Sequence, residues 1–429
     1  MYSKNRFKNL SQKEIYGLIF CSFLVVRLIF VFVLKSYFPQ LEIFPDSERY
    51  NMLSSQIMEG NFDLDGGTFL VAPVYPYFLT LIKMLFGEYW IWAAPMIQIG
   101  LSCLSGVYFY KLSKVLFESE QIAILGVLGY CFYPFTMWYV HSISQETIYQ
   151  TLLIFSIYHF VVGLKNQKEK HLIFSAILFS VCFLTKSIIL FYSPFIAISI
   201  YLFFKKNWKQ NLRMVIIYSS ICLVFTLPSG INNLKTHGVY TISSGGLGFF
   251  LSLSNNENIG RSIGVFKYTK GLNEFDYTFG RPFELKQDPN AKKYLPKERD
   301  QLYMEEGKKW IMENPKKLFF LSLTKVQKFL TPGFSISHHP FNKWVISFIL
   351  GLPIYFFGYF GIWKGLKANF KLHSWILFLI ISMSVFSIFF LNQSRFRVVT
   401  MEGFYLMYAA FGWFTFLEWA KKRRTKLIE

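Results

Sequence analysis

Charged residues are scarce in this chain. They make up 16% of its 429 residues, against about 25% in an average soluble domain. Hydrophobic residues make up 53%, and phenylalanine alone occurs 50 times. This composition excludes an intrinsically disordered chain, a collagen-like fibre and a small disulfide scaffold. It predicts a polytopic membrane protein.

Cysteine is also rare, and no two cysteines form a C-x-x-C pair. All five lie inside apolar runs, which favours small hydrophobic side chains over disulfides or metal ligands. The chain has no P-loop, no G-x-G-x-x-G and no H-E-x-x-H motif. The adjacent His338 and His339 lack the spacing of a metal site. We therefore expect no cofactor and no metal ion.

Long apolar runs are what the sequence has in abundance. A transmembrane helix needs about 20 mostly apolar residues, so the expected fold is all-α with about ten transmembrane helices. The first run is too long for a signal peptide and lacks a small-residue cleavage site, which predicts an anchor. The ten runs are residues 15–35, 90–110, 121–139, 147–164, 171–185, 187–204, 213–230, 344–363, 373–391 and 401–420.

Basic residues outnumber acidic ones by 45 to 25, for a net charge of +20. The termini and alternate short loops carry 21 of them, while the opposite short loops carry 3: Lys186, Arg395 and Arg397. Lys and Arg are enriched in cytoplasmic loops, so both termini are expected in the cytoplasm. The positive charge is a topology signal and does not indicate nucleic acid.

The runs divide the chain into three parts. Residues 1–230 form a module of seven transmembrane helices, residues 231–343 an outer segment, and residues 344–429 the last transmembrane helices. An acidic outer loop, 36–89, lies within the first part. We expect four helical stretches outside the membrane core: 47–58, an amphipathic or re-entrant stretch at 73–86, 298–314, and an interfacial stretch at 318–330.

Two acidic residues are candidates for chemistry, each with a structural alternative. Asp46 lies in the first outer loop. It serves as a general base, or else Asp46 or Ser47 is simply the N-cap of the following helix. Glu146 opens a helix from a very short outer loop. It either marks a functional polar spot or complements the helix dipole. Residue type alone leaves both choices open.

The three cations of the outer side are the other candidates. A lone cation near membrane depth is a functional-site hypothesis by default, although Lys186 also has the alternative of extending to the interface. Together Lys186, Arg395 and Arg397 indicate an anion on that side, and the phosphate or pyrophosphate of a lipid is the natural candidate.

A series of short motifs resembles the bacterial GT-C glycosyltransferases of the family 39 type, which are related to protein O-mannosyltransferases and lipid A aminoarabinose transferases. The match spans most of the chain, and the order of its motifs makes it specific. One departure is that Val71 and Ala72 stand where the family often has a basic residue. The motifs are Pro45-Asp46-Ser47 with Tyr50, residues 73–79 with Tyr75, Ser144-Gln145-Glu146, Leu184-Thr185-Lys186, Ser243-Ser244-Gly245-Gly246 with Asn255-Asn256, residues 305–315, and Arg395-Phe396-Arg397.

The resemblance implies an enzyme that moves a sugar from a polyprenyl-phosphate donor, with inversion, to a lipid, glycan or protein acceptor. It implies Asp46 as the catalytic base and Glu146, Tyr50 and Tyr75 as substrate contacts. The donor phosphate would meet Lys186, Arg395 and Arg397. The expected location is a bacterial inner membrane, with membrane lipids around the protein and the active site on the outer face.

Two other functions are alternatives to this interpretation. An O-antigen polymerase or ligase also handles lipid-linked sugars, but it usually depends on a long outer loop rich in Arg and His. A transporter or lipid flippase places ionisable groups at mid-helix and contains inverted repeats. In this chain the charged candidates cluster at the outer ends of the apolar runs, which favours the transferase.

The distribution of basic residues predicts the topology directly. An alkaline phosphatase fusion within residues 261–295 should be active, because only exported phosphatase folds correctly, and a fusion after Glu429 should be inactive. A cytoplasmic reporter at the same two sites serves as the control and should give the opposite pattern. Active phosphatase at the C-terminus would reverse the topology and move the acidic loop to the cytoplasm.

Overall fold

The computed structural model describes residues 10–37, 46–62, 71–205, 207–241, 246–257, 259, 296–333, 341–390 and 394–428. Within these residues the chain is helical and contains no strand. The expectation of an all-α membrane fold is therefore confirmed. Residues 260–295 and His338–His339, which the sequence analysis also considered, lie outside the described residues.

The first half of the chain contains both long and short helices. They are α1 (Gln12–Tyr37), α2 (Ser47–Met58), α3 (Val74–Phe86), α4 (Trp90–Phe117), α5 (Glu120–Phe132), α6 (Pro134–His141), α7 (Glu146–Asn166), α8 (Glu169–Thr185), a 3₁₀ segment (Ser187–Tyr192), α9 (Ser193–Phe203) and α10 (Trp208–His237).

The second half contains the remaining helices. They are α11 (Leu247–Ser254), α12 (Pro296–Glu313), α13 (Pro315–Leu330), α14 (Phe341–Ala368), α15 (Phe370–Phe389), α16 (Ser394–Arg397), a π-helical turn (Val398–Glu402) and α17 (Gly403–Ile428). The four helical stretches expected outside the membrane core correspond to α2, α3, α12 and α13.

A bend of 53° separates α5 from α6. Pro134 begins α6, and because proline has no N–H it leaves carbonyl groups of the preceding turn without helical donors. Arg27 of α1, which is 1% exposed, supplies the missing donors. Its guanidinium lies 2.5 Å from the Cys131 carbonyl and 3.5 Å from that of Tyr130. A cation within the first apolar run thus stabilises a broken helix.

Polar contacts join alternate helix ends at one side of the bundle. Lys114 at the end of α4 pairs with Glu120 of α5 at 3.1 Å. Gln167, just after α7, donates to the carbonyl of Phe203 at the end of α9, at 3.4 Å. Lys205 pairs at 3.1 Å with the first residue of α8. The described helices from α4 to α9 therefore run back and forth, as the alternation of basic loops predicts.

Fewer helices are long and apolar enough to span a membrane than the ten runs predict. In the described residues, six helical stretches are long and apolar enough to cross a membrane, and the bent pair α5–α6 makes a seventh. The runs at 171–185 and 187–204 fall on shorter helices. The run at 401–420 falls on α17, which is rich in Tyr, Trp and Gly. The six stretches are Gln12–Leu34, Val74–Phe117, Glu146–Asn166, Trp208–His237, Trp344–Ala368 and Phe370–Phe389.

One apolar core joins the N-terminal and C-terminal helices. It includes Phe109 of α4, Ile157 of α7, Trp375 of α15 and Tyr405 of α17. The division of the chain at residues 230 and 343 stays a prediction, but the core itself extends across both positions. It holds the loops at the helix ends, where the polar candidates lie, at defined positions.

Close contact between α14 and α17 depends on glycine. A Cβ atom at Gly361 would lie 2.0 Å from the Tyr408 carbonyl oxygen, and one at Gly412 would lie 2.1 Å from that of Phe357. Small residues let membrane helices approach closely and gain dispersion energy. This contact fixes the position of α17, whose first residue directly follows Glu402.

Candidate active site

Asp46 is the first described residue after α1 and directly precedes α2. It occupies the N-cap position, yet its side chain makes no capping hydrogen bond. Its carboxylate instead accepts a hydrogen bond from Nη1 of Arg395. The Ser47 hydroxyl is also used elsewhere, since it donates to the Ile143 carbonyl at 2.9 Å. Of the two alternatives for Asp46, side-chain capping is therefore not realised.

Glu146 and Lys186 form a buried ion pair beneath this contact. The Lys186 ammonium lies 2.8 Å from Oε1 of Glu146, and the two side chains are 5% and 1% exposed. Glu146 is the first residue of α7 and Lys186 directly follows α8. The pair therefore joins the end of one helix to the start of another. Removing one partner of such a pair leaves an uncompensated buried charge.

Arg395 connects the buried pair to Asp46. Its Nη1 atom contacts Asp46 and lies 3.8 Å from Oε1 of Glu146. Burial alone would lower the pKa of this guanidinium, but the carboxylates of Glu146 and Asp46 raise it above the ordinary value for arginine. Arg395 therefore stays charged. We call Asp46, Glu146, Lys186 and Arg395 the charge cluster.

The charge cluster has an outer and an inner layer. The side chains of Asp46 and Arg395 are 35% and 22% exposed, while Glu146 and Lys186 are almost completely covered. The Phe396 ring covers Lys186, with its centroid 4.6 Å from the ammonium. The formal charges of the four side chains sum to zero. An anion approaching from outside meets Arg395 first.

Tyr50 and Tyr75 support the cluster from the α2–α3 side. Their rings pack edge to face at 4.7 Å. The Tyr75 hydroxyl donates to Gln98 at 3.0 Å, and Gln98 in turn donates to the carbonyls of Val140 and Ser142. This chain of bonds holds the loop that precedes α7. Burial, together with Glu146 and Asp46, raises the pKa of Tyr50 well above its ordinary value, so its phenol stays neutral.

Arg397 belongs to a different group of residues. Its Nε atom lies 2.6 Å from Glu402, and its remaining guanidinium nitrogens donate to three backbone carbonyls at the end of α13 and just beyond it. Tyr133 and Tyr355 also donate to Glu402. We call Arg397, Glu402, Tyr133 and Tyr355 the anchor. The structure thus brings together six of the seven predicted site residues and separates Arg397 from them.

Sequence reasoning missed several of these polar residues. Glu402, Tyr133 and Gln98 all occur within or beside apolar runs. The signal that could have identified them is the presence of a single polar side chain among apolar ones. In the part of the chain that the structure describes, no group of three or more His, Cys, Asp or Glu side chains is arranged to hold a metal ion.

Comparison with known proteins supports the resemblance inferred from the motifs. Residues 71–231 match a family model described as dolichyl-phosphate-mannose-protein mannosyltransferase. The matched segment contains Tyr75, Glu146 and Lys186, but neither Asp46 nor Arg395. A comparison with curated proteins finds no match.

A solved structure extends the likeness to nearly the whole chain. The crystal structure of the Archaeoglobus fulgidus oligosaccharyltransferase, tethered through a disulfide bond to an acceptor peptide containing the NVT sequon, matches with a TM-score of 0.51. The match has 12% sequence identity and covers 95% of this chain and 50% of that one. This chain therefore spans about half the length of that protein. The predicted GT-C fold is confirmed, and the chain is similar to multi-pass membrane glycosyltransferases.

The buried pair generates a prediction about stability. Glu146→Gln and Lys186→Met should each lower the free energy of unfolding by roughly 3–5 kcal/mol, because each leaves one buried charge without its partner. The double variant should recover much of this loss. Unfolding of the purified protein in detergent measures all three values.

The exposed pair Lys114–Glu120, with side chains 37% and 38% exposed, provides the control. Lys114→Met and Glu120→Gln should each cost about 0.2–1 kcal/mol. Strictly additive losses in the Glu146/Lys186 double variant would contradict a direct interaction between those two residues.

Proposed function

We propose that this protein is a membrane glycosyltransferase that moves a sugar from a polyprenyl-phosphate donor to a lipid, glycan or protein acceptor, with inversion at the anomeric carbon. The observation that carries the proposal is the charge cluster. It combines a partly exposed carboxylate, Asp46, with a partly exposed guanidinium, Arg395, at one end of a GT-C fold. A glycosyl transfer from a lipid phosphate needs one base and one anion-binding group at the same place.

The position of the cluster in the membrane supports this donor class. The basic loops predict that the cluster faces the outer side of a bacterial inner membrane, with both termini in the cytoplasm. Soluble nucleotide sugars are made in the cytoplasm and do not reach that side. A donor anchored in the outer leaflet by a polyprenyl chain does reach it.

The reaction follows from the chemistry of the two outer side chains. Asp46 accepts the proton of an acceptor hydroxyl, whose oxygen forms a bond to the anomeric carbon. The bond between that carbon and the phosphate oxygen breaks, and polyprenyl phosphate leaves with the electron pair. Arg395 stabilises the negative charge that develops on the phosphate. Because phosphate is a good leaving group, the step needs no general acid.

Binding of the donor would also free the base. The Asp46 carboxylate accepts a hydrogen bond from Arg395, and a carboxylate oxygen engaged in this contact is not available to the hydroxyl of an acceptor. A donor phosphate that takes over Arg395 would release Asp46 toward the acceptor. The base would then become active only when the donor is bound, which limits its action without substrate.

The inner layer, Glu146 and Lys186, would position the groups that contact the substrate. Glu146 holds Lys186 at 2.8 Å and Arg395 at 3.8 Å, which keeps both cations directed at the site of the phosphate. Lys186 adds positive potential from below. Tyr50 and Tyr75 would line and support the sugar site, and Arg397 would hold the Arg395 segment through the anchor.

Replacement of the base provides the sharpest test. Asp46→Asn keeps the shape of the side chain but cannot accept a proton, so the transfer rate should fall roughly 10²–10⁴-fold. The exposed neighbour Glu48→Gln is the matched control and should change the rate little. Mass spectrometry of surface glycans, in cells carrying each variant in place of the wild type, identifies the transferred sugar. Initial rates of transfer of that sugar, measured with the purified proteins, then give the size of the loss.

Correct folding must be established for the Asn variant, since its contact with Arg395 changes. A melting temperature within a few degrees of the wild type, with donor binding at least as tight, separates loss of catalysis from loss of structure. An Asp46→Asn protein that transfers sugar at the wild-type rate would exclude Asp46 as the base.

Removal of the outer cation tests the phosphate contact. Arg395→Ala should lower the rate roughly 10²–10³-fold, since it removes an electrostatic contact to the developing charge. Arg213→Ala, which removes an exposed arginine at the opposite end of the bundle, is the control. Full turnover of Arg395→Ala at both limiting and saturating donor would rule out this contact.

A further inference from the structure

Lys325 is a buried cation that the proposed reaction does not use. It lies on α13 and is 2% exposed. Its ammonium donates to Oδ1 of Asn255 at 2.9 Å and, more weakly, to the Ile388 carbonyl at 3.4 Å. Both partners are neutral. An ammonium has three N–H donors, so one donor remains for another acceptor.

No carboxylate of the described residues forms an ion pair with Lys325. Burying an uncompensated charge is costly, and burial lowers the pKa of Lys325 to about 7. An anion beside Lys325 would remove most of this cost.

The two faces of α13 have different surroundings. Leu321, Lys325 and Phe329 form the buried stripe at a spacing of four residues. Phe319 and Phe320, on the opposite face, are 64% and 58% exposed. In a membrane protein an exposed apolar face contacts lipid. Lys325 is therefore covered by a helix whose other side faces the bilayer.

Lys325 is on the same side of the bundle as the charge cluster. Asn255, which orients the ammonium, also donates to the carbonyl of Phe389 at 2.8 Å, at the end of α15. The chain continues from there to Arg395. The end of α13 is in turn held by Arg397, whose Nη1 atom lies 3.0 Å from the Lys328 carbonyl.

We propose that Lys325 binds the phosphate group of a membrane lipid that enters between α13 and α15. A neutral amide oxygen and a neutral carbonyl orient the ammonium, and the head group would reach it at the contact between α13 and the end of α15. The phosphate belongs either to the polyprenyl-phosphate donor, in which case the inference rests on the proposed function, or to a phospholipid of the surrounding membrane.

Binding measurements on the full chain distinguish these sources. The purified protein in maltoside micelles, which contain no phosphate, is titrated separately with polyprenyl phosphate and with phosphatidylglycerol. Lys325→Met removes the charge at similar length, Lys325→Arg retains it, and Lys317→Met removes a half-exposed lysine of the same helix. Lys325→Gln is the second neutral variant, for use if the Met variant does not fold.

We expect Lys325→Met to bind polyprenyl phosphate about 10- to 100-fold more weakly than the wild type, as for loss of a charged hydrogen bond. Lys325→Arg should stay within a few-fold, and Lys317→Met should be unchanged. A loss of affinity for phosphatidylglycerol alone would identify a phospholipid as the source of the bound phosphate. A folded Lys325→Met protein that binds both lipids like the wild type would overturn the proposal.

The same assay separates this site from the transferase itself, because it requires no sugar transfer. The loss of affinity caused by Lys325→Met should be the same in the wild-type and in the Asp46→Asn background, in which the proposed base is absent. If lipid binding depends on Lys325 in a protein that transfers no sugar to any acceptor, the lipid site stands and the proposed activity fails.

Discussion

The ion pair between Glu146 and Lys186 is the constraint on which the site depends. Each side chain is too deeply buried to remain charged alone, so the start of α7 and the end of α8 must meet. Arg395 extends this contact to Asp46, which brings the segments after α1 and α15 to the same place. Four parts of the chain that are far apart in sequence are thereby joined by charge.

A second ion pair holds the segment that carries Arg395. Arg397 lies two residues later, yet its guanidinium points to Glu402 and to carbonyls at the end of α13. One arginine of the Arg395-Phe396-Arg397 motif thus belongs to the charge cluster and the other to the anchor. Phe396, between them, covers Lys186. The three side chains have three different environments because a short helix directs successive residues to different sides.

The layering of the charge cluster connects its stability with its chemistry. A closed inner pair supplies rigidity, and an exposed outer pair supplies groups that a substrate can reach. Under the proposed function, charge preorganised in this way would need no rearrangement of the inner residues on binding of a phosphate. In the proposed reaction the outer Asp46–Arg395 contact is the part that the donor phosphate would exchange, since these side chains are 35% and 22% exposed.

Local signals in the sequence predicted much of the fold and part of the site. The apolar runs located the membrane helices, the basic loops indicated their alternation, and the helical stretch expected at 47–58 has the observed bounds of α2, Ser47–Met58. Scarce polar residues at the ends of apolar runs pointed to Asp46, Glu146, Lys186 and Arg395. Such a residue is costly at membrane depth, so its presence alone carries information.

Pairing between distant residues was decided only by the tertiary structure. Sequence could not tell that Asp46 binds Arg395 instead of capping α2, or that Arg397 pairs with Glu402, because each contact joins segments whose approach depends on the packing of the whole bundle. It could not show that Arg27 supports the bend at Pro134, or that Lys325 is buried. Hydropathy and spacing are properties of one segment, whereas the partner of a buried charge is a property of the fold.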